Sequence, residues 1–213
     1  LHLNDPISKA DESEKCSLPP TSFQESDFIA LFEPAGKVQG PKFREAIKSL
    51  RLAKLCPTNF PDGYVRKINQ TKIAYNKAIS DLNNLAQMDN PSTPFDVNLL
   101  VRQIEQECVW PDGYNNDTPK WGKEDGNFSH CLSLVARING ILSSPALSCV
   151  FKDEGLSSLI AKIEEFIKDD NVKLLRLDLS GISFEYKARE IISNVIGRHF
   201  LNQARKNSFD FSG

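Results

Sequence analysis

The sequence has little of what membrane-spanning and strongly charged proteins require. No apolar run in its 213 residues approaches the roughly 20 residues that a helix needs to cross a bilayer. No charge of one sign predominates, since 26 Lys and Arg stand against 28 Asp and Glu, a net charge of −2. This balance argues against a nucleic-acid binder that works by bulk basicity. The hydrophobic fraction of 40% and the charged fraction of 25% predict a soluble globular chain.

The five cysteines and three histidines form no disulfide or metal-binding pattern. The cysteines are odd in number, widely spaced and without a C-x-x-C pair, and the histidines show neither H-x-x-x-H nor H-E-x-x-H. We expect buried, reduced thiols, which favours a cytoplasmic protein. Glycosylation sequons begin at Asn69, Asn116 and Asn127, but residues 1–23 have neither the cationic nor the apolar region of a signal peptide. The sequons are therefore left without a role.

Apolar residues recur at helical spacing through most of the chain. The capping-box pattern Ser22-x-x-Glu25 predicts the start of a first helix, and a second is predicted to begin at Pro41 and to end before Pro57. A seam of three- and four-residue spacings over residues 65–86 predicts one helix of about 25 residues that packs on a partner helix. Further helical patterns cover residues 96–104, 128–142, 156–167 and 183–200.

Two segments depart from the helical pattern. Residues 110–126, WPDGYNNDTPKWGKEDG, are dense in turn-forming residues and predict a long exposed loop. Residues 172–179, VKLLRLDL, form a short apolar run between turn residues and predict a buried strand that has almost no neighbouring strands to pair with. The predicted fold class is therefore mainly α: a helical bundle with a short buried strand near the C-terminus.

Positive charge is concentrated in one stretch of the chain. Between Lys37 and Lys72, only Glu45 and Asp62 oppose the basic residues. Such a run is typical of a solvated helix face, and it also suits contact with a DNA phosphate backbone or an acidic partner. The candidate DNA or partner contacts are Lys37, Lys42, Arg44, Lys48, Arg51, Lys54, Arg66 and Lys67.

No complete active site can be derived from the residue types. The segment from Gly36 to Lys42 has the glycines and the lysine of a phosphate-binding loop, but the glycines are too close together. Pro41 follows the second glycine, and no hydroxyl residue follows the lysine. The end of one helix and the start of the next explain these residues better. No cofactor-binding or metal-binding residue is assigned.

Residues 174–205, LLRLDLSGISFEYKAREIISNVIGRHFLNQAR, resemble part of the HerA–FtsK type P-loop ATPases. In that family an apolar strand ending in Asp-Leu-Ser-Gly is followed by a long helix with an arginine near its middle. Most of the preceding chain, including FREAIKSL and HCLSLVARINGILSSPAL, is similar to the helical insertion of these proteins. The segment is thus identified as a partial α/β ATPase element.

The resemblance implies a parent protein that forms ring hexamers and uses ATP and Mg²⁺ to translocate along double-stranded DNA, in end processing or anti-phage defence. Its partners would be other subunits of the ring and a nuclease or defence effector. The candidate catalytic residues that this chain would contribute to the parent protein are Asp178, Arg189 and Arg198. The Walker A and Walker B motifs of the family are missing from this chain.

We therefore expect a domain or fragment of a HerA-like ATPase that acts as a helical subunit-contact or docking module and is not catalytic alone. Its expected parts are a connector (1–21), a helical insertion bundle (22–170) and a strand-helix element of the ATPase core (171–213). The parent reading frame is expected to place G-x-x-x-x-G-K-[ST] before Leu1 and an apolar strand ending in Asp-Glu after Gly213. The alternative is a self-contained helical adaptor or binding protein without any link to an ATPase.

Overall fold

The computed structural model describes residues 1–5, 13–152, 155–169, 171 and 174–205. The described chain is mainly helical, which confirms the predicted class. Its strands β1 (His2–Leu3) and β2 (Lys15–Cys16) pair in parallel. The α-helices are α1 (Glu25–Phe32), α2 (Gly36–Leu55), α3 (Ile73–Ile79), α4 (Leu82–Asp89), α5 (Leu100–Glu107), α6 (Phe128–Ser143), α7 (Ser148–Phe151), α8 (Leu159–Lys168) and α9 (Ala188–Arg205).

No described helix is by itself long and apolar enough to cross a bilayer. Phe128–Ser143 and Pro145–Phe151 meet the length and composition test only when taken together, and they are bent by 68° at the break between them.

Contacts divide the chain into two compact units. The central unit comprises Gln24–Gly140, and the terminal unit comprises Leu1–Phe23 together with Ile141–Gly213. The predicted boundaries at 21/22 and 170/171 divide the chain differently, because the compact units group its first residues with its last. Leu3 and Leu18 are fully buried in the terminal unit, so this N-terminal segment contributes to a core.

Phenylalanine side chains join the first helices of the central unit. Phe28 and Phe32 lie four residues apart on α1 and therefore face the same side. They are 2% and 0% exposed. The Phe28 ring centroid lies 5.0 Å from that of Phe95, and the Phe32 centroid lies 6.0 Å from that of Phe43 on α2. α2 packs in turn against α4 and α5, so it forms the centre of the unit.

The first helices start at other residues than predicted. α1 is capped reciprocally by Gln24 and Asp27 instead of by the predicted serine-glutamate box. α2 begins at Gly36, whose φ of +71° is accessible to glycine at little cost, and Pro41 lies inside it. The Ala35 N–H donates to the side-chain oxygen of Gln39, in the first turn of α2, at 3.0 Å. This side-chain bond fixes the helix start ahead of the proline.

The prediction of one helix over residues 65–86 is wrong. Residues 65–72 are not helical, and α3 and α4 are separate helices. The Gln103 side chain accepts a hydrogen bond from the Val65 N–H at 2.8 Å and donates one to the Val65 carbonyl at 3.1 Å. Gln106 accepts from the N–H of Lys67 at 2.8 Å. Side chains of α5 thus take the backbone groups that a helix would have paired internally.

The strand predicted over residues 172–179 is not formed in its described part, and residues 172 and 173 lie outside the described residues. Its described part begins at Leu174, which is 83% exposed, and residues 174–177 have no regular secondary structure. Asp178 forms an isolated parallel bridge with β1, and its carbonyl accepts from the Leu3 N–H at 3.3 Å. β1 therefore lies between β2 and this extended segment and provides a backbone partner for its end.

Asn4 fixes the chain directly after β1. Its side-chain amide donates to the Ala146 carbonyl at 2.6 Å, and its side-chain oxygen accepts from the Cys149 N–H at 3.0 Å. On the neighbouring segment, a Cβ added to Gly181 would lie 2.5 Å from the Asp5 carbonyl oxygen. The glycine of the Asp-Leu-Ser-Gly sequence is therefore required by this close backbone approach.

Candidate functional site

Most of the basic candidate residues form ion pairs within the central unit. Of the eight, only Lys37 and Lys54 have no ion pair among the described residues. The pairs of the other six are Lys42–Asp125 (3.3 Å), Arg44–Glu25 (4.0 Å), Lys48–Asp89 (2.7 Å), Arg51–Glu25 (3.0 Å), Arg66–Asp62 (2.9 Å) and Lys67–Glu107 (2.5 Å). The structure thus brings these residues to carboxylates instead of collecting them on one open basic face.

Glu107, at the end of α5, is the centre of a buried polar cluster. Its carboxylate accepts hydrogen bonds from Lys67 Nζ at 2.5 Å, Ser49 Oγ at 2.7 Å and Gln103 Nε2 at 2.8 Å. The side chains of Lys67 and Glu107 are only 8% and 5% exposed. A buried charge is tolerated when it is paired and its remaining hydrogen-bonding sites are satisfied. This cluster meets both conditions, so its role in the structure is to join α2, α5 and the segment before α3.

Two aromatic rings enclose the Lys67 ammonium further. Lys67 Nζ lies 5.3 Å from the ring centroid of Tyr75 and 5.5 Å from that of Trp121. The two rings contact each other edge to face with centroids 5.4 Å apart. Burial, followed by the negative charge of Glu107, raises the pKa of Tyr75 to about 12. The phenol therefore stays neutral at physiological pH and cannot act as a base there.

Lys42 connects the same cluster to the start of α6. Its ammonium donates to the Glu107 carbonyl at 2.5 Å and to Asp125 Oδ2 at 3.3 Å. Cys108 and Cys131 are both buried, and burial raises the pKa of Cys108 to about 12 and also raises the pKa of Cys131. A nucleophilic cysteine needs a lowered pKa. These cysteines therefore lack the electronic environment of a catalytic thiol, in agreement with the expectation of buried, reduced cysteines.

Arg51 acts as an internal link instead of a surface contact. The residue is 0% exposed. Its guanidinium donates to Glu25 at 3.0 Å and to the backbone carbonyls of Met88, Pro91 and Thr93 at 3.1–3.3 Å. These bonds hold the turn after α4 against α2. Arg51 is therefore not available for the DNA contact that its sequence position allowed.

The predicted loop over residues 110–126 is non-helical apart from one short turn, and several backbone bonds fix it to its neighbours. The Trp110 N–H donates to the Lys123 carbonyl at 3.0 Å, and the Gly122 N–H donates to the Trp110 carbonyl at 2.9 Å. The Asn69 N–H in turn donates to the Gly122 carbonyl at 2.9 Å. Trp110 and Tyr114 are nevertheless 54% and 91% exposed. Sequence analysis missed these aromatic residues, although both stand in WPDGY, a turn-rich segment that could have indicated their exposure.

Two of the three candidate residues of the terminal unit, Asp178 and Arg189, bind the backbone of one turn. The Asp178 carboxylate accepts from the Ser180 N–H at 2.7 Å, and this bond lowers the pKa of Asp178. Arg189 donates to the carbonyls of Ser180 at 2.9 Å and Ile182 at 2.7 Å. Arg198 lies nine residues later on α9, about 13 Å along the helix axis. Asp178 and Arg189 are thus joined through one turn, to which Arg198 does not belong.

No group of three or more His, Cys, Asp or Glu side chains that could hold a metal ion occurs in the described ranges. The glycines and lysine of residues 36–42 form the first turns of α2, and not the end of one helix and the start of the next as predicted. Comparison of the chain with family models, curated proteins and solved structures gives no match. Inference about function therefore starts from the geometry of these side chains.

Proposed function

We propose that this chain is a helical subunit-contact and docking module of a HerA-like hexameric ATPase and is not catalytic alone. The observation that carries the proposal is the turn over residues 178–181, on which the resemblance to the family rests. Asp178 ends a segment that is bridged in parallel to β1, and α9 follows the turn. In α/β nucleotide-binding cores a parallel strand is followed by a turn and a helix, and the bridged segment, the turn and α9 follow one another in that order. The parent would be a DNA translocase of end processing or anti-phage defence, acting with ATP and Mg²⁺.

The bonding of this turn supports a structural role for its charged residues. Asp178 is occupied by the Ser180 N–H, and its lowered pKa keeps it ionised near neutral pH. A general acid or base needs a pKa near the working pH. Arg189 is engaged by two carbonyls, and its guanidinium lies 3.7 Å from the centroid of the Phe184 ring. These side chains would position the turn and α9 instead of acting on a substrate.

The ion pairs of the central unit favour protein contact over DNA contact for the predicted basic face. A lysine that binds a phosphate must first give up its own carboxylate partner, which offsets the gain from counterion release. Lys42 and Lys67 are held by partly or fully buried acidic partners. In this proposal the double-stranded DNA is therefore contacted by other parts of the parent protein.

Exposed apolar side chains provide surface for subunit contacts. An exposed apolar group is removed from water when a partner covers it, and this burial stabilises the complex. In the central unit Leu82 is 80% exposed and Leu132 is 54% exposed, and in the terminal unit Phe184 is 76% exposed. Each unit thus carries apolar groups that a neighbouring subunit, nuclease or effector could cover.

The alternative is a self-contained helical adaptor with no link to an ATPase. The closed character of the central unit favours it. The Glu107 cluster and the Arg51 bonds are satisfied by residues within Gln24–Gly140. A unit of this kind needs no further chain to complete its buried polar groups.

The reading frame that encodes the chain distinguishes the two proposals. The ATPase proposal expects G-x-x-x-x-G-K-[ST] upstream and an apolar strand ending in Asp-Glu downstream, and a frame with neither would contradict it. We further expect the complete gene product to form hexamers by analytical ultracentrifugation and to hydrolyse ATP. Leu132→Glu or Phe184→Glu should shift the hexamer toward smaller species. The matched control Lys77→Glu changes an exposed residue that has no ion pair among the described residues and is not a candidate contact, and it should leave the hexamer intact. Hexamers that resist both changes would refute the subunit-contact role of these side chains.

A further inference from the structure

A groove in the central unit is lined by aromatic and hydrogen-bonding side chains. Its volume is about 310 Å³, and Trp110, Tyr114, Asn69 and Lys123 are among its lining residues. The sequence around it contains three glycines, at 113, 122 and 126, which leave the backbone accessible. An aromatic groove with a few polar groups is the usual form of a recognition site for a small ligand or a peptide.

The groove is held in one shape by its backbone. Gly122 is paired through its N–H to Trp110 and through its carbonyl to Asn69. A Cβ added at Gly122 would lie 2.5 Å from the Asp112 carbonyl oxygen. Lys72 Nζ contacts the Asp112 carboxylate at 3.0 Å and ties the loop to the start of α3. A groove fixed before binding loses little conformational entropy when a partner docks.

The aromatic faces of this groove differ from the other aromatic faces of the region. Tyr64 lies under two guanidinium groups, and Tyr75 and Trp121 lie under the Lys67 ammonium. Among the described residues, no cation lies over Trp110 or Tyr114. Their exposed fractions of 54% and 91% leave both rings open to an external group. Tryptophan and tyrosine are the residues that most often dominate binding energy at interfaces.

The charges and hydrogen-bonding groups of the groove indicate what it can bind. Lys123 contributes the cation that repels a cationic ligand, and the Asp112 carboxylate is already paired with Lys72. A single lysine is far less than the basic track that follows a nucleic-acid backbone. The indole N–H of Trp110, the phenol O–H of Tyr114 and the amide of Asn69 supply donors. The groove therefore fits a ligand without positive charge that is rich in acceptors and poor in donors.

We propose that this groove binds a proline-rich peptide segment in the polyproline II conformation. Proline has no N–H, and the carbonyls of a polyproline II helix have no internal partners. They can accept bonds from the donors of the groove while the pyrrolidine rings pack on the open aromatic faces. The peptide is already ordered, so binding costs it little entropy. This inference goes beyond the proposed function and holds whether or not the chain belongs to a ring ATPase.

The test is binding of fluorescein-labelled decaproline to the purified full chain, followed by fluorescence anisotropy. We expect saturable binding that weakens at least about tenfold in Trp110→Ala and in Tyr114→Ala, as for aromatic residues at the centre of an interface. Trp110→Ala keeps the Cβ against which Gly122 packs, so the loop should retain its backbone. The control Phe200→Ala removes a partly exposed ring from the terminal unit and should bind like the wild type. Circular dichroism and thermal unfolding show whether each variant is folded.

Three results would overturn the proposal. The first is no saturable binding of decaproline to the folded wild type. The second is binding that persists unchanged in both aromatic variants. The third is tighter binding of a Gly-Ser peptide, an Arg-rich peptide or a single-stranded oligonucleotide than of decaproline at the same groove, which would assign the site to that other class. None of these results depends on the ATPase motifs, so failure here is distinguishable from failure of the proposed function.

Discussion

The Glu107→Gln substitution tests the buried ion pair on which the central unit depends. Glutamine has nearly the same shape as glutamate, so the change removes charge and leaves little cavity. The native carboxylate accepts from Lys67, Ser49 and Gln103. If the glutamine oxygen keeps Ser49 and Gln103 as donors, its amide NH₂ faces the Lys67 ammonium, which is also a donor. The lysine is then left buried without a counter-charge.

Breaking a buried ion pair by removing one partner costs about 3–5 kcal/mol. The side-chain exposures of 8% and 5% place this pair in that class. The cation–π contacts of Lys67 with Tyr75 and Trp121 stabilise the remaining cation by about 0.5–2 kcal/mol each, so we expect a loss near the lower end, about 3 kcal/mol. Replacement of both partners in Glu107→Gln/Lys67→Met should restore part of the stability, because no buried charge remains.

Urea unfolding followed by tryptophan emission measures this loss. Both tryptophans, Trp110 and Trp121, belong to the central unit, so emission reports that unit without a contribution from the other. The matched control is Asp62→Asn, which breaks the Arg66–Asp62 pair at 2.9 Å with side-chain exposures of 58% and 44%. An exposed pair contributes about 0–1 kcal/mol, so the control should change little. A loss below about 1 kcal/mol in Glu107→Gln, or strict additivity of the two changes, would refute the assignment of a coupled buried pair.

Gly122→Ala should destabilise the loop over residues 110–126 by about 1–3 kcal/mol through overpacking, because the added Cβ would lie 2.5 Å from the Asp112 carbonyl oxygen. An unchanged tryptophan emission and an unchanged urea midpoint would contradict this prediction. Cys108 has a pKa of about 12, so only about one molecule in ten thousand carries its thiolate at pH 8. Iodoacetamide should therefore label Cys56 before Cys108. Equal labelling of the two residues, measured by mass spectrometry, would contradict this prediction. The pKa of Asp178 is lowered on folding, so its contribution to stability is present above the ordinary aspartate pKa and is lost as pH falls through the folded value. Asp178→Asn should reduce this acid sensitivity, measured by hydrogen exchange of residues 1–5, and an unchanged pH profile would count against it.

Local chemistry was sufficient to predict the helical class and several buried faces. The 3.6-residue period places Phe28 and Phe32 on one side of α1 without knowledge of the partner. Turn-forming residues likewise predict the loop over 110–126, because their backbone preferences act within a few residues. These signals are carried by neighbours in the chain, so they can be recognised in the sequence.

The sequence predictions are wrong where a residue binds a side chain that lies far away in the chain. Residues 65–72 carry a good helical pattern, but Gln103 and Gln106 bind their backbone groups. Lys67 looked like a surface cation because its carboxylate partner, Glu107, lies forty residues away. Spacing along the chain contains no information about such pairs. The turn-rich segment predicts the exposure of Trp110 and Tyr114, but the groove that they line with Asn69 depends on which distant segments meet.

The sequence by itself determined that this chain is mainly helical, without an excess of charge of one sign, and without a complete phosphate-binding loop. Only the tertiary structure decided that its basic residues are largely paired with internal carboxylates and that the segment ending at Asp178 pairs with β1. Helix periodicity and turn chemistry act over a few residues, whereas ion pairs and strand pairing depend on which distant segments meet. The properties that decide what this protein can bind depend on these contacts between distant segments.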